Sequence, residues 1–123
     1  MKKILTLVLI AFLGGTVSAQ DTPTKAKIEN AEKFAAGKEK GNYVFQLPGS
    51  ITAEQVTKAA SYYTQYFTVN FDAKSNSAKI TMLKNDDVSK HVIVRFLVSV
   101  GVKEISMSGK DYDVETFFQD YIR

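Results

Sequence analysis

Cysteine is absent from this 123-residue chain. That excludes disulfides, thiolate metal sites, cysteine nucleophiles and lipid attachment beside a leader. Histidine occurs once, at position 91. No Ser or Thr has a visible base with an orienting partner, so the usual nucleophilic sets fail. After the first apolar run, no stretch reaches membrane-spanning length, and no internal repeat or long low-complexity tract is present. A hydrolase built on paired carboxylates stays open as a class, but no spacing singles out a pair.

What the chain does have begins with an address. Lys2 and Lys3 form a basic n-region, Ile4 to Leu13 is apolar except for Thr6, and Val17-Ser18-Ala19 is a small-residue cleavage site. The expectation is a signal peptide over 1–19, cut after Ala19, and export to the periplasm or beyond. Its loss removes two of the 16 basic residues, leaving 14 against 13 acidic ones, a net charge of about +1. A near-neutral domain lacks the electrostatic footprint expected for nucleic acid. Without staples, the domain must rest on apolar burial, to which eight Phe and six Tyr contribute.

Residues 20–41 are rich in Lys, Glu and Ala. Ile28, Ala31, Phe34 and Ala35 share a helical face, so the segment reads as a charged arm or a short helix. Gly37 and Gly41 bracket a linker, and a single domain over 42–123 follows. Tyr43, Phe45 and Leu47 alternate with Val44 and Gln46, as in a strand, until Pro48-Gly49. Thr52 and Gln55 have capping-box spacing, which predicts a helix of three to four turns carrying Val56, Ala59, Ala60 and Tyr63. Phe67, Val69 and Phe71, then Ala78, Ile80 and Met82, make two strands joined by Lys74 to Ser77 as a hairpin. Asn85-Asp86-Asp87 opens a second helix with Val88, Val92, Ile93, Phe96, Leu97 and Val100. Its β-branched content makes a strand the competing reading, but the period, the cap and the Gly101 stop favour helix. Lys103 to Met107 is a fourth strand. Asp113 caps a last helix carrying Val114, Phe117, Phe118, Tyr121 and Ile122.

This order predicts an α+β fold: a ferredoxin-like βαββαβ sandwich with an additional C-terminal helix. From Tyr43 to Met107 the chain resembles a heavy-metal-associated domain of the copper-chaperone type. The likeness rests on element order, on the hairpin from Val69 to Leu83 and on Val100-Gly101-Val102 before the last strand. In that family the loop after the first strand carries Gly-x-x-Cys-x-x-Cys. Here Thr52 and Gln55 stand at the cysteine positions, and neither replaces a thiolate for a soft cation. The resemblance implies the fold and withholds the metal function.

Other constellations are weighed the same way. His91 with Asp86 and Asp87 has metal-ligand residue types, but the aspartates are explained by helix capping. Asp111 and Asp113 lack the oxygen ladder and bidentate Glu of a calcium loop. Tyr62 and Tyr66 lie four apart and share a helical face, a candidate contact patch together with Thr68 and Asn70 of the wet sheet face. That face also offers Val44, Gln46, Lys79 and Thr81. It carries no aromatic platform for RNA.

The expected function is therefore an exported, non-enzymatic binding module without a cofactor. It meets a protein partner, or a second copy through an edge strand. The alternatives are a metal-handling derivative of the heavy-metal-associated domain, using His91, Met82 and Met107, and a carboxylate-dependent hydrolase.

Overall fold

Alternation sorts the strands of this protein, and capping sorts its helices. A computed structural model describes residues 25–123, and the leader expected over 1–19 lies outside the described residues. The elements run β1 Lys25–Ile28, α1 Ala31–Lys40, β2 Asn42–Gln46, α2 Ala53–Ala60, β3 Phe67–Asp72 and β4 Ser77–Met82. Then come α3 Asp87–Ser99, β5 Glu104–Met107, β6 Lys110–Asp113, α4 Val114–Phe117 and a closing π-helical turn Phe118–Ile122.

The protein is a mixed α+β structure around one six-stranded sheet, in the order β3-β4-β2-β1-β5-β6. All pairs are antiparallel except β1 with β5. Two strands exceed the expected four. β1 hides in the charged segment because only Ala26 and Ile28 of its four residues are buried. Its pairing with β5 is a contact between residues far apart in sequence, which a local pattern does not reveal. β6 reads locally as a turn and a cap. Ser108 and Gly109 both take positive φ, 54° and 80°, and join Met107 to Lys110 by the two-residue turn that matches strand twist.

One face of the sheet holds the core. Tyr43, Phe45, Ala78, Ile80 and Ile105 are fully buried beneath Ile93, Phe96 and Leu97 of α3 and Phe117 of α4. Phe67, Tyr63 and Phe96 meet with ring centroids 6.0–6.5 Å apart. Phe34 of α1 sits 5.7 Å from both Tyr43 and Phe45 and 5.5 Å from Phe117.

Helix ends follow the polar signals. Thr52 and Gln55 form a reciprocal capping box, Asp86 accepts from Ser89 N–H, and Asp113 accepts from Thr116 N–H. α3 is helical despite its β-branched residues, and Gly101 at φ 100° closes it. α1 runs through Lys40 to a left-handed Gly41, so Lys38-Glu39-Lys40 is helix rather than linker. α2 is shorter than its periodicity suggests, ending at Ala60. Ser61 returns its hydroxyl to the Lys58 carbonyl at 2.6 Å, and Tyr62 and Tyr63 N–H bond Ala59 and Ala60.

Candidate functional site

The loop from Leu47 to Thr52 is where the resembling family binds metal, and here its polar groups are already engaged. Thr52 Oγ1 accepts from Gln55 N–H at 3.2 Å, while Gln55 Oε1 accepts from Thr52 N–H at 2.8 Å. Asn76, with φ 56°, donates its amide to the carbonyls of Pro48 at 2.7 Å, Leu47 at 3.3 Å and Ile51 at 3.4 Å. The hairpin turn thus latches the loop.

A first groove, about 650 Å³, lies on the helical side. It is lined by Tyr66, His91, Arg95, Glu115, Phe118 and Arg123, among others. His91 of α3 stacks on Phe118 with centroids 4.4 Å apart, and its Nε2 meets Glu115 Oε2 at 2.8 Å. No local pattern signals this pair, since Glu115 is 24 residues away. The pair joins α3 to the C-terminal elements. Among the described residues the hydrogen-bond partner of the imidazole is the Glu115 carboxylate.

The remaining acidic candidates are also bound to local partners. Asp86 and Asp113 are held below the usual carboxylate range chiefly by the backbone N–H groups of Ser89 and Thr116. Asp111 is lowered by its hydrogen bond from Lys25, 2.6 Å away, which raises the lysine in turn. Among the described residues no three His, Asp or Glu come together as a metal site. Met82 lies on β4 and Met107 on β5, with β2 and β1 between them. They and His91 do not converge.

The opposite sheet face is bare. The ladder Thr68–Thr81, Asn70–Lys79, Val44–Lys79 and Gln46–Ser77 puts these side chains on the side away from the core. Thr68 and Asn70 belong to this face. Tyr66 lies in the His91 groove on the other side, and Tyr62, 70% exposed, sits in the turn after α2. The four residues expected as one patch are thus split between two surfaces, because the helix that would have aligned the tyrosines ends too early.

The bare face opens where β1 and β2 diverge. They pair at one position, Lys27 with Gln46, before the chain bends at Glu29 into α1. Leu47 N–H donates to the Asn76 carbonyl and Met82 N–H to the Gly41 carbonyl. By the alternation of antiparallel ladders, Tyr43 and Phe45 also face β4, and the backbone groups of Asn42, Val44 and Gln46 face the split. Among the described residues Val44 has no strand partner on that side. The result is a groove of about 420 Å³. Ile28, Phe34 and Val44 give it apolar lining, and Lys27, Lys33, Asn42 and Gln46 line it with polar groups. Val44 is 49% exposed, which is unusual for a valine in a central strand. Neither β1 nor the split is visible in the sequence. The only hint is a valine on the expected wet face.

No family model, curated protein or solved structure matches this chain. The groove and the bare face therefore have to be read from their own chemistry. They offer an apolar floor, amide, ammonium and carboxylate groups around it, and a stretch of strand backbone that faces no strand.

Proposed function

We propose that this protein is an exported, non-enzymatic binding module that holds an extended polypeptide segment of a partner in the split between β1 and β2. The observation that carries this reading is Val44. Its backbone faces a groove instead of a strand, and its side chain lies exposed at the centre of a sheet. An added strand would satisfy those backbone groups, and side-chain contacts with Val44, Phe34 and Ile28 would select its sequence. Export follows from the leader pattern of Lys2, Lys3, the Ile4 to Leu13 run and Val17-Ser18-Ala19.

The scaffold is a ferredoxin-like core with β1 added. In support, β2, α2, β3, β4, α3 and β5 follow one another as strand, helix, strand, strand, helix, strand. The sheet order reads β3-β4-β2 and then β5 once β1 is set aside. β1 occupies the place beside the first core strand and is too short to fill it, which accounts for the split.

The test is a capture experiment with the chain expressed from its full reading frame, leader included, and immobilised in processed form. Its own cell-envelope extract is passed over wild type and over Val44→Glu. The exposed position tolerates the change, so both variants should melt together. A partner retained by wild type and lost by Val44→Glu supports the reading. Equal retention by both would overturn it.

A further inference from the structure

We infer that β3 is a homodimer edge, pairing antiparallel with β3 of a second copy about a two-fold axis at Asn70. The two sheet edges differ. β6 is four residues long and carries Lys110, Asp111 and Asp113, the charged guard that natural edges use against pairing. β3 is six residues long, has no lysine or proline, and keeps unbroken register with β4 from Phe67–Met82 to Asp72–Ser77. Its one charged residue, Asp72, lies at its end.

The backbone and side chains of this edge are self-complementary. Leu83 N–H donates to the Tyr66 carbonyl, so even-numbered residues of β3 bond β4. By alternation the N–H and C=O groups of Phe67, Val69 and Phe71 point outward, unpaired. Centred on Asn70, a second β3 places Val69 opposite the partner's Phe71 and exchanges these groups. On the bare face, Thr68 then meets the partner's Asp72, a hydroxyl to carboxylate pair, and Asn70 meets its own copy, amide to amide. No like charges face each other. On the core side, Val69 and Phe71 are only partly buried, while Tyr43, Phe45, Ala78 and Ile80 on the interior strands are fully buried. Met82 and Tyr112 are also only partly buried, but the cover missing over Val69 and Phe71 is the part that the second copy would close. The two sheets become one, and the inference holds whether or not the groove at Val44 is filled.

The absence of cysteine makes the register directly testable. Asn70 and its copy would form a non-hydrogen-bonded pair, with Cα atoms about 4.5 Å apart, inside the disulfide range. Asn70→Cys in the chain expressed from its full reading frame should cross-link to a dimer under mild oxidation. Lys79→Cys, one strand inward on the same face, should not. In sedimentation equilibrium, wild type should dimerise, and Asn70→Lys, which sets two ammonium groups face to face, should weaken the dimer by tenfold or more while its circular dichroism stays that of the folded chain and its melting temperature loses the concentration dependence of the wild type. A wild-type monomer across the micromolar to submillimolar range overturns the inference. So do equal cross-linking rates for the two cysteine variants. Protection of the Phe67, Val69 and Phe71 amides from exchange only when envelope extract is added would assign the edge to a different protein, and would also overturn it.

Discussion

Tyr43 shows how much one side chain can be asked to do. Its ring is fully buried between Phe34 and the sheet, and its hydroxyl reaches Asn85 Oδ1 at 3.4 Å. Burial pushes the phenol up to about 12 from its usual 10. The folded state therefore holds this proton more tightly than the unfolded chain does. The stability it contributes is complete below pH 10 and is lost as pH rises towards 12. We expect an alkaline loss on the order of 2 kcal/mol, flattened in Tyr43→Phe, in denaturant titrations at a series of pH values. An alkaline limb of the same slope in Tyr43→Phe would refute the assignment. Asn76 acts at the same scale. Alanine there would keep a left-handed backbone without the side chain that eases it, and would leave the Pro48 carbonyl without its 2.7 Å donor. Asn76→Ala should cost about 1–3 kcal/mol in the same assay. Asn76→Gly, which relaxes only the backbone, should recover part of that.

Among the elements, α1 and α4 decide whether the groove exists. α1 approaches β2 so closely that a Cβ on Gly37 would lie 2.6 Å from the Asn42 carbonyl oxygen. That atom belongs to backbone and cannot swing away. Gly37→Ala should therefore destabilise the protein by ~1–3 kcal/mol, even though alanine is the better helix former. A stabilised variant, found by thermal melting, would mean that α1 does not sit against β2. α4 supplies Phe117, fully buried and in contact with Phe34, Tyr112 and Tyr121. Phe117→Ala should cost about 3–5 kcal/mol. A loss below 1 kcal/mol in chemical denaturation would make the C-terminal elements peripheral. The apolar stripe of Val114, Phe117, Phe118 and Ile122 was readable as a helix seeking cover, because its spacing is local. That it covers the β1 half of the sheet was not readable, since β1 itself was hidden.

For the whole molecule, the exposed face carries more information than the core. Phe96 of α3 and Phe117 of α4 are buried on one side of the sheet, and among the described residues the other side carries two concavities, one beside α1 at Val44 and one along Asn70, Lys79 and Ser75. Among the described residues, the Thr52–Gln55 cap, the His91–Glu115 pair and the separation of Met82 from Met107 by two strands bring no soft ligands together. Micromolar copper(II) or zinc should give no heat in calorimetry and no shift in melting temperature. Saturable binding with a raised melting temperature would restore the metal-handling alternative. Among the described residues, no helix is long and apolar enough to cross a membrane.

Local sequence already specifies the elements from Asn42 onward that have a clear period or cap: β2, the start of α2, the β3–β4 hairpin, α3, β5 and the last helix. It also determined which side of β2, β3 and β4 stays wet. These are local properties, set by side chains a few residues apart that choose between core and solvent. Packing between distant segments set the rest. It placed β1 between β2 and β5, gave His91 a carboxylate from another helix, and ended α2 before its tyrosines could align. It also parted two strands at Val44 and left β3 bare at the rim. Each of these depends on partners distant in the chain, where the gain comes from completing another element's surface, and no window of neighbouring residues records that.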